Sequence, residues 1–286
     1  MRMNPTSTSP ASVSALTDVR LAFIGGGNMA SAIIGGLIRQ GVPGHRIDVV
    51  EPNPSTRDAL RSQYGVGVHA EATAALAHAH LVVWAVKPQT FRAAADAAGP
   101  HTRDALHLSV AAGIRTDSLT QWLATERIVR AMPNTPALVG AGMTGLFARP
   151  SVTAEERDRV AAVMAATGQL LWLDKEQDLD AVTALSGSGP AYVFYFLEAM
   201  RRAGTEMGLA PEAALQLAIG TFAGASKLAA DADVPPEILR ERVTSKGGTT
   251  YAALTALETA GVGDAFVRAM HAACHRATEL GDEFGR

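Results

Sequence analysis

The sequence has very little cysteine. Its 286 residues include one, Cys274, and a single thiol excludes an internal disulfide. A chain without disulfides is typical of a reducing compartment, so we expect a cytoplasmic protein. His271 and His275 stand close to Cys274. A tetrahedral metal site would still need ligands from elsewhere in the chain, and we expect no metal.

Long hydrophobic runs and an excess of one charge are missing too. We find no run of about 18 apolar residues, the length that predicts a membrane span. The formal net charge is -3, with 25 basic and 28 acidic residues spread along the chain. Without a basic stripe, neither nucleic acid nor a membrane is an expected partner. Hydrophobic residues make up 48% and charged residues 19%, which is typical of a globular protein.

The first residues differ from the rest of the chain. Residues 1–17 are rich in Ser, Thr, Pro and Ala, and no charged start is followed by an apolar stretch. We therefore expect a flexible tail here and no secretory signal.

From residue 18 to residue 176, short apolar runs alternate with helical patterns. This alternation predicts βαβ units and a parallel, doubly wound sheet of the Rossmann type. A helix is predicted over 55–64, capped by Ser55 or Thr56. Thr153 and Glu156 form the pattern of a capping box before a later helix. The predicted strands are 19–24, 46–50, 81–86, 105–110, 127–132 and 169–173.

Strand patterns end near residue 176. Long Ala-rich stretches follow, with turn signals at Gly208, 231–236 and 261–263. We therefore predict an α/β domain over 18–176 and an all-helical domain over 177–286.

A glycine motif follows the first predicted strand. Gly25, Gly27 and Ala30 match G-x-G-x-x-A. In this motif the first glycine permits a tight turn, the second lets the backbone approach a pyrophosphate, and the alanine permits close helix packing. The following helix start also supplies free N–H groups. These features favour dinucleotide binding over a glycine turn that holds no ligand.

The end of the second strand leaves the kind of dinucleotide open. Glu51 lies 26 positions after Gly25, where an acidic residue would accept a hydrogen bond from the 2′-hydroxyl of NAD. Asn53, Ser55 and Arg57 could instead hold the 2′-phosphate of NADP. Arg57 could equally be a solvated helix arginine.

Five ordered segments resemble the pyrroline-5-carboxylate reductase family. The resemblance implies a Rossmann domain followed by a helical dimerisation domain. It implies reduction of Δ1-pyrroline-5-carboxylate to L-proline with NADP(H), with NAD(H) as a further option. It also implies a homodimer, often assembled into a larger ring such as a decamer. The segments are IGGGNMA (24–30), AVKPQ (85–89), RAMPNTP (130–136), SGSGPAY (186–192) and VTSKGGTT (243–250).

The last of these segments is the expected substrate site. Glycines before a helix start expose N–H groups that suit a carboxylate. By resemblance, the Thr250 hydroxyl bonds the imine nitrogen, and the carboxylate is held by Ser245, Gly247, Gly248 and Thr249. The imine nitrogen can enter already protonated, so no strong acid is required. The alternative is that Ser245 and Thr249 only cap the helix.

The expected cofactor site draws on several loops. Asn134 either positions the nicotinamide amide or orders its own loop through an Asx turn. By resemblance, Arg242 reaches the cofactor of a facing subunit. The glycines of 186–190 permit close approach of either substrate or a partner helix. The full expected set is Ile24, Gly25, Gly26, Gly27, Asn28, Met29, Asn53, Ala85, Val86, Lys87, Pro88, Val110, Ala111, Ala112, Asn134 and Arg242.

Two departures from the family pattern stand out. Lys246 occupies a position where the family usually has proline, which frees the backbone of this loop. Lys246 either attracts the substrate carboxylate or is a solvated lysine. The loop 69–72 also lacks an asparagine that many relatives place near the adenosine.

Two other functions remain in competition. A β-hydroxyacid dehydrogenase would need a catalytic lysine in the helical half, where Lys227 is the only internal candidate. A dinucleotide-binding sensor would keep the glycine motif but would not need the loop at 245–250.

Overall fold

The computed structural model describes Leu16 and residues 18–285. The tail predicted over residues 1–17 lies outside the described residues, apart from Leu16. Leu16 departs from that prediction, because its side chain is buried in the core.

Within the described residues, eight strands form one sheet in the order β3-β2-β1-β4-β5-β6-β7-β8. The first six strands run parallel, and β7 runs antiparallel to β6 but parallel to β8. The order of these first six is that of a Rossmann fold, in which ligands bind beyond the carboxyl ends of the strands. The strands are β1 Leu21–Ile24, β2 Ile47–Val50, β3 Gly67–His69, β4 Leu81–Trp84, β5 Leu106–Ser109, β6 Ile128–Met132, β7 Gly142–Ala148 and β8 Gly168–Trp172.

Helices cover both faces of the sheet. Large apolar side chains fill the core on each face, among them Phe23 and Ile33 on one side and Trp84 and Phe91 on the other. The helices of this part are α1 Asn28–Arg39, α2 Pro54–Tyr64, α3 Pro88–Ala98, α4 Thr116–Leu123, α5 Ala154–Ala165 and α6 Asp178–Val182.

The chain divides into two compact units. The first contains residues up to Ser188 and the returning end from Ala273, and the second contains Gly189–Ala272. The remaining helices are α7 Gly189–Glu206, α8 Pro211–Ala230, α9 Pro236–Arg242, α10 Thr249–Thr259 and α11 Val262–Phe284.

Each predicted strand overlaps an observed one, β3 and β7 were not predicted, and the expectation of a parallel sheet is wrong at β7. Residues 133–141 join β6 to β7, and this connection is too short for the crossover that parallel strands need. The chain therefore returns antiparallel. The predicted cap of α2 is also wrong: the cap is Asn53, whose Oδ1 accepts from the Thr56 N–H at 3.2 Å. The capping box of Thr153 and Glu156 is confirmed.

One buried histidine is expected to make the stability of the first unit depend on pH. The indole N–H of Trp84 donates to Nδ1 of His107 at 3.0 Å, and His107 is 1% exposed. Burial lowers the pKa of His107 to about 4. An unfolded histidine titrates near 6.5, so the unfolded state takes up the extra proton as the pH falls from about 6.5 to 4. The folded state, which keeps His107 neutral, is therefore fully stable with respect to this group above about pH 6.5. Its free energy of unfolding falls as the pH drops through this window.

We expect this group to lower the free energy of unfolding by about 2–3 kcal/mol between pH 7 and pH 4.5. His107→Asn keeps an acceptor near the Trp84 indole but does not titrate. Urea unfolding at both pH values should show a pH dependence smaller by that amount in the variant. Equal pH dependence in the two proteins would rule out His107 as its source.

The second unit consists of helices that leave much apolar surface exposed. In α8, Leu217 is 61% exposed and Leu228 is 59% exposed. Among the described residues, α8 is the one helix long and apolar enough to cross a membrane by length and composition. An apolar helical face of this extent is also typical of a surface that another protein chain covers.

Candidate functional site

The glycine turn after β1 is built for a close approach of backbones. Gly25 has a φ of +95°, and a Cβ atom there would lie 2.7 Å from the Ala85 carbonyl oxygen. The Gly25 N–H donates to the Val50 carbonyl at 2.8 Å. A side chain at Gly25 would therefore both strain the backbone and collide with the loop after β4.

The start of α1 faces open space. Gly27 is the N-cap, no side chain caps the helix, and an added Cβ on Gly27 would meet nothing within 4 Å. Asn28 and Met29 form the first turn, whose N–H groups point out of the helix start. Ala30 is fully buried, in agreement with its expected packing role. This helix start can bind a pyrophosphate.

A cavity of about 630 Å³ opens at the carboxyl ends of β1, β2 and β4. It brings together six residues expected at the cofactor site: Ile24, Gly25, Gly27, Ala85, Val86 and Lys87. Other lining residues come from the ends of β2 and β3 and from α3, including Glu51, Glu71 and Thr90. The lining is mainly aliphatic with few polar groups, which is typical of a cofactor pocket.

Glu51 connects β2 to the glycine turn. Its Oε2 accepts from the Gly26 N–H at 2.9 Å, and its Oε1 accepts from the Asn53 N–H at 2.8 Å. Arg57 donates through Nη1 to the carbonyls of Glu51 and Pro52, both at 2.7 Å. The sequence predicted that Glu51 lies near the ribose, but it gave no sign that Glu51 contacts the glycine turn.

The side chains of Asn53 and Ser55 are hydrogen-bonded to each other. The Ser55 hydroxyl donates to Asn53 Oδ1 at 2.7 Å, and the same oxygen caps α2. Asn53 and Ser55, which could have held a 2′-phosphate, thus use the Asn53 Oδ1 and the Ser55 hydroxyl to order the start of this helix.

The loops after β4 and β5 lie beside each other. Lys87 is the N-cap residue of α3, and Pro88 begins that helix. The Lys87 side chain is exposed and forms no ion pair within the described part of the chain. After β5, the Val110 N–H donates to the Trp84 carbonyl at 3.1 Å. Ala111 and Ala112 continue this loop at the same sheet edge.

Asn134 ties the loop after β6 to a π-helical turn at Thr183–Gly187. Its Nδ2 donates to the backbone carbonyl and to the hydroxyl of Ser186, both at 3.2 Å, and its Oδ1 accepts from the Met143 N–H at 2.9 Å. The side chain thus orders its surroundings through distant partners rather than through an Asx turn. The sequence held no signal for this π-helical turn. Such turns are frequent at functional sites.

The second unit holds the expected substrate segment. Gly247 has a φ of +76°, and the Gly248 N–H donates to the Ser245 carbonyl at 3.0 Å. An added Cβ on Gly248 would lie 2.6 Å from the Ser245 hydroxyl oxygen. This tight turn carries the chain directly into α10.

The start of α10 has no side-chain cap. Gly248 is its N-cap residue, and neither Ser245 nor Thr249 caps the helix, so the capping alternative is wrong. Within the described residues, the hydroxyl of Thr250 forms no hydrogen bond and the exposed Lys246 forms no ion pair. Arg242 ends α9 shortly before this turn and is exposed. The N–H groups of the first turn of α10 are free to bind an anion.

Taken together, the sheet order, the glycine turn and the cavity define a Rossmann-type dinucleotide-binding protein. Among the described residues, no group of three His, Cys, Asp or Glu side chains could hold a metal ion.

Comparisons with known proteins identify the family. A family model for the dimerisation region of pyrroline-5-carboxylate reductase matches residues 176–280, and a model for NADP oxidoreductase, coenzyme F420-dependent, matches residues 20–113. The chain is 42% identical over 269 residues to the pyrroline-5-carboxylate reductase of Pseudomonas aeruginosa, covering 93% of this chain and 98% of that protein.

Solved structures agree with this assignment. A pyrroline-5-carboxylate reductase from Coxiella burnetii superimposes with a TM-score of 0.85 at 37% identity, covering 92% of this chain and 98% of that one. The Plasmodium falciparum enzyme, solved with NADP bound, has a TM-score of 0.82 at 28% identity, with the same coverage. The chain belongs to the pyrroline-5-carboxylate reductase family, and it carries the dimerisation region of that family.

The competing functions find no support in the site. Lys227, which a β-hydroxyacid dehydrogenase would need as its catalytic lysine, is 81% exposed and pairs with Asp231 at 3.5 Å. A sensor without turnover would not need the uncapped turn at 245–250, which the chain retains.

Proposed function

We propose that this chain reduces Δ1-pyrroline-5-carboxylate to L-proline, the last step of proline biosynthesis, by hydride transfer from NADP(H) or NAD(H). The observation that carries the proposal is the uncapped start of α10 behind the Ser245–Gly248 turn. It presents free N–H groups beside a threonine hydroxyl, which suits a small molecule with both a carboxylate and an imine nitrogen.

The first unit binds the dinucleotide. The turn at Gly25, Gly26 and Gly27 and the first residues of α1 hold the pyrophosphate. Ile24 and the loops 85–88 and 110–112 flank the cofactor, and Asn134 keeps the neighbouring loop in place. When bound, the reduced nicotinamide supplies the hydride, and the protein supplies position and electrostatics.

The second unit binds the substrate. The backbone N–H groups near Gly247, Gly248 and Thr249, together with the Ser245 hydroxyl, hold the carboxylate. The Thr250 hydroxyl hydrogen-bonds the imine nitrogen, which carries a proton when hydride reaches the adjacent carbon. The exposed Lys246 adds positive charge near the carboxylate in place of the rigidity that a proline would give.

We also propose that the chain works as a homodimer in the cytoplasm, assembled further into a ring such as a decamer, with Arg242 directed at the cofactor of a facing subunit. The exposed apolar side chains of α8 support the dimer, because another copy of the dimerisation region would cover them. The division into sequence domains at 18–176 and 177–286 is a proposal separate from the two compact units, which divide after Ser188 and at Ala273.

The test is NADPH oxidation at 340 nm by the purified protein with racemic Δ1-pyrroline-5-carboxylate, with NADH in parallel. We expect oxidation that depends on the imine and yields proline in equal amount. Cofactor binding without any oxidation would contradict the proposed substrate.

A further inference from the structure

The end of β2 bears on which cofactor this chain prefers. The Glu51 carboxylate lies against the glycine turn and accepts from Gly26 and Asn53, at 2.9 and 2.8 Å. These two contacts hold it where the adenosine ribose of a dinucleotide meets the end of the second strand. A fixed carboxylate here can accept a hydrogen bond from a ribose 2′-hydroxyl, whereas it repels a 2′-phosphate.

The charges on the adenosine side of the cavity are both negative. Among the described residues that line the cavity, Glu51 and Glu71 are acidic and Lys87 is the basic one. Lys87 follows β4 beside the glycine turn, whereas Glu71 follows β3 and adds negative charge on the adenosine side of the cavity. A 2′-phosphate, with a charge of about -2, would enter a region that already carries two carboxylates.

The groups that could offset this repulsion are partly engaged elsewhere. Arg57 directs its Nη1 at the Glu51 and Pro52 carbonyls, at 2.7 Å each. Asn53 caps α2 and also accepts from the Ser55 hydroxyl. These contacts occupy Asn53 Oδ1, the Ser55 hydroxyl and Arg57 Nη1, so a 2′-phosphate here would have to be held by Asn53 Nδ2 and the remaining N–H groups of Arg57 against two carboxylates.

We propose that Glu51 makes this chain bind NADH more tightly than NADPH. This inference rests on the proposed function for its setting, since it concerns the hydride donor of the same reaction. It is a property of the adenosine end of the cavity and does not depend on which imine is reduced.

Isothermal titration calorimetry without substrate tests the proposal directly. The wild type should bind NADH more tightly than NADPH, and ADP-ribose more tightly than its 2′-phosphorylated form. Glu51→Gln keeps an acceptor for the Gly26 N–H and removes the charge. It should shift the ratio of the two dissociation constants about tenfold or more toward NADPH. Asp58→Asn, an exposed acid on α2, is the matched control and should leave the ratio unchanged.

Arg57→Gln distinguishes the alternative. If Arg57 holds a 2′-phosphate, this variant loses NADPH affinity and the wild type prefers NADPH, which overturns the proposal. An unchanged ratio in a folded Glu51→Gln variant, verified by its circular dichroism, overturns it as well. If proline forms and the enzyme prefers NADPH, only the proposed role of Glu51 is refuted, and the proposed reaction stands. Absence of proline formation together with tighter NADH binding would refute only the proposed reaction.

Discussion

Thr250→Ala is expected to lower kcat about 100-fold or more, while the dissociation constant of the reduced cofactor changes little. Thr250 is the second residue of α10, and its hydroxyl forms no hydrogen bond within the described residues. Alanine at this position preserves the helix, because alanine favours helical backbone. The loss would therefore report the missing hydrogen bond to the imine nitrogen rather than a change of fold.

Thr250→Ser is the matched control because it keeps the hydroxyl. It should retain most of the activity in the 340 nm assay. A kcat for Thr250→Ala within about threefold of the wild type would leave the hydroxyl without a role in the reaction. A large rise in KM with unchanged kcat would instead assign Thr250 to substrate binding.

Glu176→Ala is expected to destabilise the first unit by about 3 kcal/mol or more. Glu176 accepts from Arg130 Nη1 at 2.6 Å, from the Thr116 N–H at 2.7 Å and from the Thr116 hydroxyl at 2.5 Å. The side chains of Arg130 and Glu176 are 8% and 16% exposed. Removing the carboxylate therefore leaves a buried guanidinium without its ion-pair partner.

The double variant Arg130→Met, Glu176→Leu provides the control. Replacing both partners of a buried ion pair with apolar residues costs much less than removing one. Urea unfolding at one fixed protein concentration should therefore show the double variant to be more stable than Glu176→Ala. A loss below about 1 kcal/mol in Glu176→Ala would show that solvent reaches Arg130 readily.

Local patterns predicted the parts of the fold that depend on local physics. The glycine turn is an example, since a φ of +95° at Gly25 and its contact with Ala85 require a residue without a side chain. The capping box at Thr153 and Glu156 is another. Five of the first six strands were predicted from the alternation of apolar runs and helical patterns, whereas β3, only three residues long, was not.

Features that depend on distant contacts were not predictable in this way. Strand β7 contains two glycines and lacks a clear alternation, so its pattern was too weak to detect. The links from Asn134 to Ser186 and from Glu176 to Arg130 join residues 52 and 46 positions apart. Only the folded chain shows that these polar side chains are partners.

The end of the chain shows the same limit. Residues 177–286 were predicted as one helical domain, yet the end of α11 packs with the first unit. The Ser118 hydroxyl donates to the Gly285 carbonyl at 2.9 Å, and Arg115 pairs with Asp282 at 3.0 Å. A helical pattern indicates the helix but not the unit against which it packs.

The central claim is that a hydride passes directly from a nicotinamide to the imine carbon of Δ1-pyrroline-5-carboxylate. Reduced cofactor carrying two deuterium atoms at C4 of the nicotinamide tests it, with the proline product analysed by mass spectrometry. The account predicts proline one mass unit heavier, with a single deuterium on the carbon that was the imine carbon. Unlabelled proline, or consumption of the cofactor without proline, would contradict it.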